Sequence, residues 1–462
     1  MEESSPRRGT GAVILILVLM GLASLQGVSS LVSDNADPQR GEGRQAGPPA
    51  APQDPSSSPD DGSGLVPSPE PSVEPPDAVD VAGLRFRRLV HPYPRGCLRP
   101  APRPTLGKIA AFQGGSVSIV EPGSDRVVRI NTRKPLAWSA SGRYLATGRG
   151  DFYRPSGRGE GSVLNKGSRL WEWSPVADCA VAVDGSGLWV DGPQLDPRRI
   201  FDVAGVEQLS FSLDGRRLGF VVRESEAGST RSIWIADLGS GSARRIERYG
   251  ARTPVVRLLG WNVGGTRLFF GSAPGESVAA DGVALRYSAA RGPRRGQAGA
   301  TLLPEDAYLS HCGGRDLVVA GGGRETNSNK RLAYLSPSGP TFITPTSAAV
   351  MSPSCSPDGG YIAVAASGDG ADITERRLAL LRSDGSFERF LAPAGSGDEY
   401  PIWGPRGSGL AFVRMRPSGR MADVWFIPEG GSASPTPLVI AVPPETYGHF
   451  DWAEALDWSA AP

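Results

Sequence analysis

Ser354-Cys355-Ser356-Pro357-Asp358-Gly359 runs directly into Gly360-Tyr361-Ile362-Ala363-Val364. The first part ends in Asp-Gly, a pair that supplies the positive φ of a tight hairpin. The second part is aromatic and β-branched, the composition of a short buried strand. The same strand–turn–strand unit recurs along the chain. Ala137-Trp138-Ser139-Ala140-Ser141-Gly142 precedes Tyr144-Leu145-Ala146, and Glu172-Trp173-Ser174-Pro175 precedes Cys179-Ala180-Val181-Ala182-Val183. Ser210-Phe211-Ser212-Leu213-Asp214-Gly215 leads to Leu218-Gly219-Phe220-Val221, and Gly260-Trp261-Asn262 to Leu268-Phe269-Phe270. Ser310-His311-Cys312 is followed by Leu317-Val318-Val319, and Ile402-Trp403-Gly404-Pro405 by Leu410-Ala411-Phe412-Val413. Leu456-Asp457-Trp458-Ser459 is a last copy without a second strand. An aromatic residue ends the first strand of most copies, placed to fill the space between neighbouring sheets.

Third strands follow the pairs, as in Ser232-Ile233-Trp234-Ile235, Arg331-Leu332-Ala333-Tyr334-Leu335, Arg377-Leu378-Ala379-Leu380-Leu381 and Asp423-Val424-Trp425-Phe426. Fourth, edge strands come next, as in Ala243-Arg244-Arg245-Ile246 and Glu388-Arg389-Phe390-Leu391. Four strands repeating every few dozen residues predict an all-β chain folded as a β-propeller. The second strands count eight blades. Seven stays open, because the unit starting at Leu136 has a poor third and fourth strand. The ends fit a ring: Lys108–Phe112, Ser116–Val120 and Arg126–Ile130 read as strands two to four of a blade whose first strand is Leu456–Ser459. Such pairing removes an exposed sheet edge.

These units resemble the TolB-type, WD40-like (PD40) β-propeller repeats, which carry Ser-Pro-Asp-Gly at each hairpin. Ser356-Pro357-Asp358-Gly359 matches best, Ser212-Leu213-Asp214-Gly215 is looser, and Ser139-Ala140-Ser141-Gly142 looser still. The likeness spans roughly residues 105 to 460. It implies a fold, and with it a scaffold for protein or ligand binding in an exported compartment. The fold hosts unrelated activities, so it assigns no chemistry. Similar propellers sit beside the hydrolase domain of prolyl-oligopeptidase-like enzymes, a domain not expected here.

Before the propeller, the chain divides into a segment at 1–32, a linker at 33–80 and a lead-in at 81–104, with the ring at 105–462. Arg7 and Arg8 precede an apolar run from Gly11 to Leu25. That pattern fits an export signal cleaved after Ala23 or Ser30, or an uncleaved anchor reaching Val32. Either way the remainder is expected outside the cytoplasm: secreted, or anchored to the membrane and facing outward. Residues 34–80 hold eleven Pro, ten acids and two bases, a charge of −8. This composition is too polar to order itself and reads as a spacer or a disordered tail.

The chain has 462 residues, 61 Gly, 42 Pro and a net charge of +1, which argues against long helices and against a nucleic-acid partner. Its three His (His91, His311, His449) make a multi-histidine metal site a poor fit, and no metal or cofactor is expected. There is no Gly-x-Ser-x-Gly elbow, phosphate loop or His-Glu-x-x-His. The Asp-Gly pairs lack the alternating oxygen ligands of a calcium loop and read as turns. His311 is expected to be a core or channel histidine.

Four Cys in an exported chain raise the question of disulfides. Cys312 and Cys355 share a repeat position in successive blades, and Cys97 with Cys179 is a second option. Buried free thiols are the alternative. A binding site is sought in the loops between second and third strands, which share one face of a propeller. There the candidates are Asp151, Phe152, Tyr153 and Arg154, then Arg223 and Glu224, Arg324 and Glu325, Arg414 and Arg416. Exposed aromatics beside Arg make good contact anchors. Two functions follow. One is a non-catalytic scaffold for a protein or cell-envelope ligand, touching the membrane if the N-terminal segment stays uncleaved. The other is a lyase, lactonase or glycosidase with its residues in the central channel, which an acid–His cluster there would favour.

Overall fold

The computed structural model describes residues 89–459 except 103–106, 125, 149, 163–167, 169, 225–229, 251–254, 274–282, 293–294, 303–308, 321–329, 337, 369–374, 394–396, 418–420, 429–433 and 443–451. These residues belong to the compact unit Pro75–Pro462. Among them, eight four-stranded antiparallel sheets follow one another along the chain. The protein is an eight-bladed β-propeller. Blade 1 holds Ile109–Gln113, Ser116–Val120 and Val127–Ile130, with Leu456–Trp458 as its first strand. Blades 2 to 8 occupy residues 136–162, 170–201, 206–249, 255–302, 310–342, 348–390 and 398–442. Blade 2 has its full set of strands, with Asp151–Tyr153 third and Gly159–Ser162 fourth. Their shortness and glycines hid them from the repeat pattern.

The ring closes as the sequence implies. Ile109 pairs with Trp458, Ala110 with Asp457 and Ala111 with Leu456. The Ser459 N–H donates to the Lys108 carbonyl at 2.8 Å, and the Lys108 N–H to Ser459 Oγ at 2.6 Å.

In three blades the tryptophan at the end of the first strand also bonds to the preceding blade. Trp173 Nε1 donates to the Ala137 carbonyl at 3.1 Å, Trp261 Nε1 to Ser210 at 2.9 Å, and Trp403 Nε1 to Ser354 at 3.0 Å. Each acceptor lies one residue before the matching position of the blade before. The side chain there takes part as well. Asp457 Oδ2 accepts the Trp138 N–H at 2.7 Å, Glu172 Oε1 the Phe211 N–H at 3.1 Å, and Ser354 Oγ the Trp403 N–H at 3.3 Å. Neighbouring first strands, which share no sheet, are thereby fixed in height.

Both candidate disulfides are formed: Cys97–Cys179, with Cα atoms 5.7 Å apart, and Cys312–Cys355, at 5.3 Å. No cysteine is free among the described residues. The first ties the lead-in segment to blade 3. That segment also bonds blades 3 and 4: Val90 N–H donates to Ile200 and Ala101 to Val176 of blade 3, and Leu89 to Gly241 of blade 4. Cys97 and Tyr93 are buried in one core with Phe201, Phe220 and Leu238. Burial raises the Tyr93 phenol well above its ordinary range. The predicted signal or anchor and the Pro-rich spacer lie outside the described residues. Within the described residues no helix is long and apolar enough to cross a membrane.

Candidate functional site: the axial cavity

A cavity of about 670 Å3 runs along the first strands of six blades and extends to the first hairpins of blades 4, 6 and 7. Its wall includes Phe211 of blade 4, Trp261 of blade 5, His311 of blade 6, Ser352 of blade 7, Tyr400 of blade 8 and Asp457 of blade 1. It reaches the turns Gly313-Gly314 and Pro357-Asp358-Gly359. First and second strands are joined at this end of the sheets, opposite the loops between second and third strands.

Two neighbouring blades distort their first strands here in the same way. Ser352 and Tyr400 have φ of 48° and 47°, each is followed by proline, and the strand register breaks at both. A non-glycine residue in the left-handed region costs about 1 kcal/mol or more and persists where its surroundings over-determine it. The support under Tyr400 is visible. Asp398, fully buried, takes two bonds from Arg414, at 2.7 and 3.2 Å. Glu399 is held by Arg376 at 2.7 Å and by Trp452 Nε1 at 3.2 Å. Buried charges paired this way are costly to break one partner at a time. They anchor the strand just before it turns Tyr400 toward the cavity wall.

His311 is a channel histidine. Its Nδ1 lies 3.2 Å from Asp316 Oδ1, which also accepts the Val263 N–H at 2.6 Å. The carboxylate is an acceptor, so it favours the tautomer with the proton on Nδ1 and leaves Nε2 as a basic lone pair. The Asp457 carboxyl is pushed up to about 6 by burial, against the opposing bonds from the Trp138 and Trp458 N–H groups. Glu172, in the matching position of blade 3, is pushed up to about 7 by burial, opposed by the Phe211 N–H. Its Oε2 is buried without a hydrogen-bond partner among the described residues.

The residues expected to bind at the second-to-third-strand loops are placed differently. Asp151, Phe152 and Tyr153 form a strand, and Phe152, 2% exposed, packs against Trp173 with ring centroids 5.1 Å apart. Its reading as an exposed anchor is therefore corrected: the blade needs that residue as core. Arg154 pairs with Glu160 at 3.0 Å and lies over the Tyr144 ring. Arg223 bonds Glu207, and Glu224 takes Arg248 at 2.7 Å. Arg414 is engaged by Asp398, and Arg416 bonds Asp423 at 2.8 Å. Arg324 and Glu325 lie outside the described residues. The described candidates belong to blades 2, 4 and 8, and the fold does not bring them together. Sequence reasoning missed Ser352 and Tyr400, although the signal was present: an X-Pro pair inside a first strand recurs in successive repeats, and proline there marks a bulge.

No family model matches the chain, and no curated protein matches it. Solved structures do. One is a eukaryotic initiation factor, 12% identical, covering 78% of this chain and 90% of its own, with a TM-score of 0.51. Another is the dihydro-heme d1 dehydrogenase NirN in complex with DHE, 12% identical, covering 81% and 82%, with a TM-score of 0.52. TolB from Acinetobacter baumannii also matches, 11% identical over 72% of this chain and 64% of its own, with a TM-score of 0.35. At these identities the likeness is one of fold.

Proposed function

We propose that the chain is an exported binding scaffold whose ligand enters the axial cavity, with a cell-envelope protein as the partner class. The observation that carries this reading is the pair of strained bulges at Ser352 and Tyr400, aligned on the wall of the 670 Å3 cavity. Strain repeated at one position of two blades, beside a wide concavity, is the pattern of a site held ready for a ligand. Export is read from the apolar N-terminal run, and a non-catalytic role from the lack of a catalytic motif in the sequence. The test is a crosslinked capture from envelope fractions with the full chain. Tyr400→Gly suits the left-handed backbone and removes the ring, while Arg223→Ala, at the end of a second strand, alters the opposite face. A partner lost with Tyr400→Gly and kept with Arg223→Ala supports the cavity. The reverse moves the site to the other face, and no enriched partner overturns the reading.

One observation favours a second reading, an enzyme. The Asp316-held His311 presents Nε2 as a general base beside the cavity. Turnover of a lactone or glycoside that disappears in His311→Gln would establish it.

A further inference from the structure

Next to the axial cavity lies a notch of about 410 Å3 between blades 7 and 8. The two share only the rim Ser356-Pro357-Asp358. About half of the notch wall is apolar, including Pro357, Leu380, Leu391, Trp403 and Leu410. Four charged residues border it: Asp358, Glu388, Arg389 and Arg406. Asp358 accepts the Ser356 hydroxyl at 2.5 Å and the Gly360 N–H at 3.0 Å. Glu388 is paired with Arg382 at 2.7 Å, and Arg389 also has a partner. Arg406 is exposed, and its guanidinium makes no ion pair among the described residues.

Arg406 is also where the repeat departs from its own rule. Blade 8 writes the hairpin Gly404-Pro405-Arg406-Gly407 where blade 7 writes Ser356-Pro357-Asp358-Gly359. Arginine stands in the place of the aspartate that closes the turn on itself. It is held at φ 56°, a conformation that glycine, asparagine or aspartate adopts more readily. The turn gains nothing from this residue, but the notch gains its one uncommitted charge.

We propose that this notch binds a carboxylate carried on an apolar group, with the Arg406 guanidinium as the partner of the anion. The planar fork of arginine matches a carboxylate through two parallel bonds. A doubly charged phosphate fits less well, because Asp358 and Glu388 stand on the same wall and repel it. The Trp403 indole has already committed its N–H to Ser354, so its ring is left as apolar wall for the tail of the ligand. The site stands whether or not the axial cavity binds.

The experiment is isothermal titration of the full chain with three probes: N-acetyl-leucyl-leucine, its C-terminal amide, and octanoate. The acid peptide is expected to bind at least tenfold tighter than its amide. Arg406→Gly should weaken the acid at least tenfold without lowering the melting temperature, since glycine suits that backbone. Arg406→Lys, which keeps charge and loses the fork, should fall between them. Binding by octanoate but not by the peptide keeps the site and makes its source a free apolar acid. Equal binding of acid and amide, an unaffected Arg406→Gly, or no binding by either acid overturns the proposal.

Discussion

Blades 7 and 8 close hairpins of the same length with the same backbone bonds and hold them by different means. In blade 7 the turn is self-contained. Ser356 Oγ bonds Asp358 and accepts the Tyr361 N–H at 2.9 Å, Gly359 N–H donates to the Ser356 carbonyl at 2.8 Å, and Gly359 takes φ 72°. In blade 8 the backbone bonds are kept, with Gly407 N–H to the Gly404 carbonyl at 3.1 Å, but neither capping side chain is present. The reason lies in the next blade. A Cβ on Gly404 would sit 2.5 Å from the Trp458 indole, so the serine of the motif is excluded where the closing strand packs. With no serine hydroxyl to bond, an aspartate at position 406 has lost its partner. The comparison shows that closing the ring rewrote the motif beside the closure, and that the rewritten turn is free to carry another chemistry.

The largest expected effect comes from breaking what blade 7 has and blade 8 lacks. The Cys312–Cys355 bridge fixes the end of the blade 7 first strand to blade 6. Replacing both cysteines by alanine should lower unfolding stability by about 2–4 kcal/mol, read by denaturant titration. Forcing the blade 7 sequence onto blade 8 comes next. Gly404→Ser should destabilise by roughly 1–3 kcal/mol through overpacking against Trp458, whereas Ser356→Gly should only loosen its own turn.

The contrast sharpens on the inner strands, where Ser354 of blade 7 accepts an N–H with a hydroxyl and Glu172 of blade 3 with a carboxyl. The folded Glu172 titrates near 7, above its ordinary range near 4.5, so the folded chain holds an extra proton between those values. Its contribution is fully present below the unfolded value and is lost as pH rises through 7. Glu172→Gln keeps the acceptor for Phe211 and removes the titration. It should stabilise the protein at pH 8 by about 2 kcal/mol, with little change at pH 4, which thermal melts across this range would show.

The smallest effects belong to the third turn position itself. Asp358 is held below the usual carboxylate range by the Ser356 hydroxyl and the Gly360 N–H. What it contributes is present above the unfolded carboxyl range and is lost as pH falls through the lowered value. Asp358→Ala should cost about 1 kcal/mol or less, because the group is exposed. Arg406→Gly should instead gain about 1 kcal/mol by removing strain. Opposite signs at equivalent positions would confirm that one residue serves the turn and the other does not.

The repeat made the fold legible. A period-two apolar strand, an Asp-Gly turn and an aromatic at a fixed place are local patterns, and copies of them reinforce one another. The closing strand was legible for the same reason, since Leu456–Ser459 is a first strand without a second. The candidate site was hardly legible. Phe152 looked like a loop anchor because Asp151–Tyr153 is too short and too polar at its flanks to announce a strand. Arg414 looked like a surface charge because its partner, Asp398, lies on the strand beside it and their pairing depends on register. Ser352 and Tyr400 are marked only by a following proline that shows once successive repeats are aligned, and Arg406 is set apart by a backbone angle that a single residue type does not encode.

The contact between Lys108 and Ser459 joins residues 351 apart in the chain. During synthesis, blade 1 is complete in three strands long before the fourth exists, and the inner edge of its sheet stays open until residues 456–458 have been made. A partly synthesised or clipped chain that lacks them carries a free strand edge, the surface on which chains aggregate and which chaperones shield. The last turn of the ring thus works as a length check: only a chain translated through its closing strand can hide that edge.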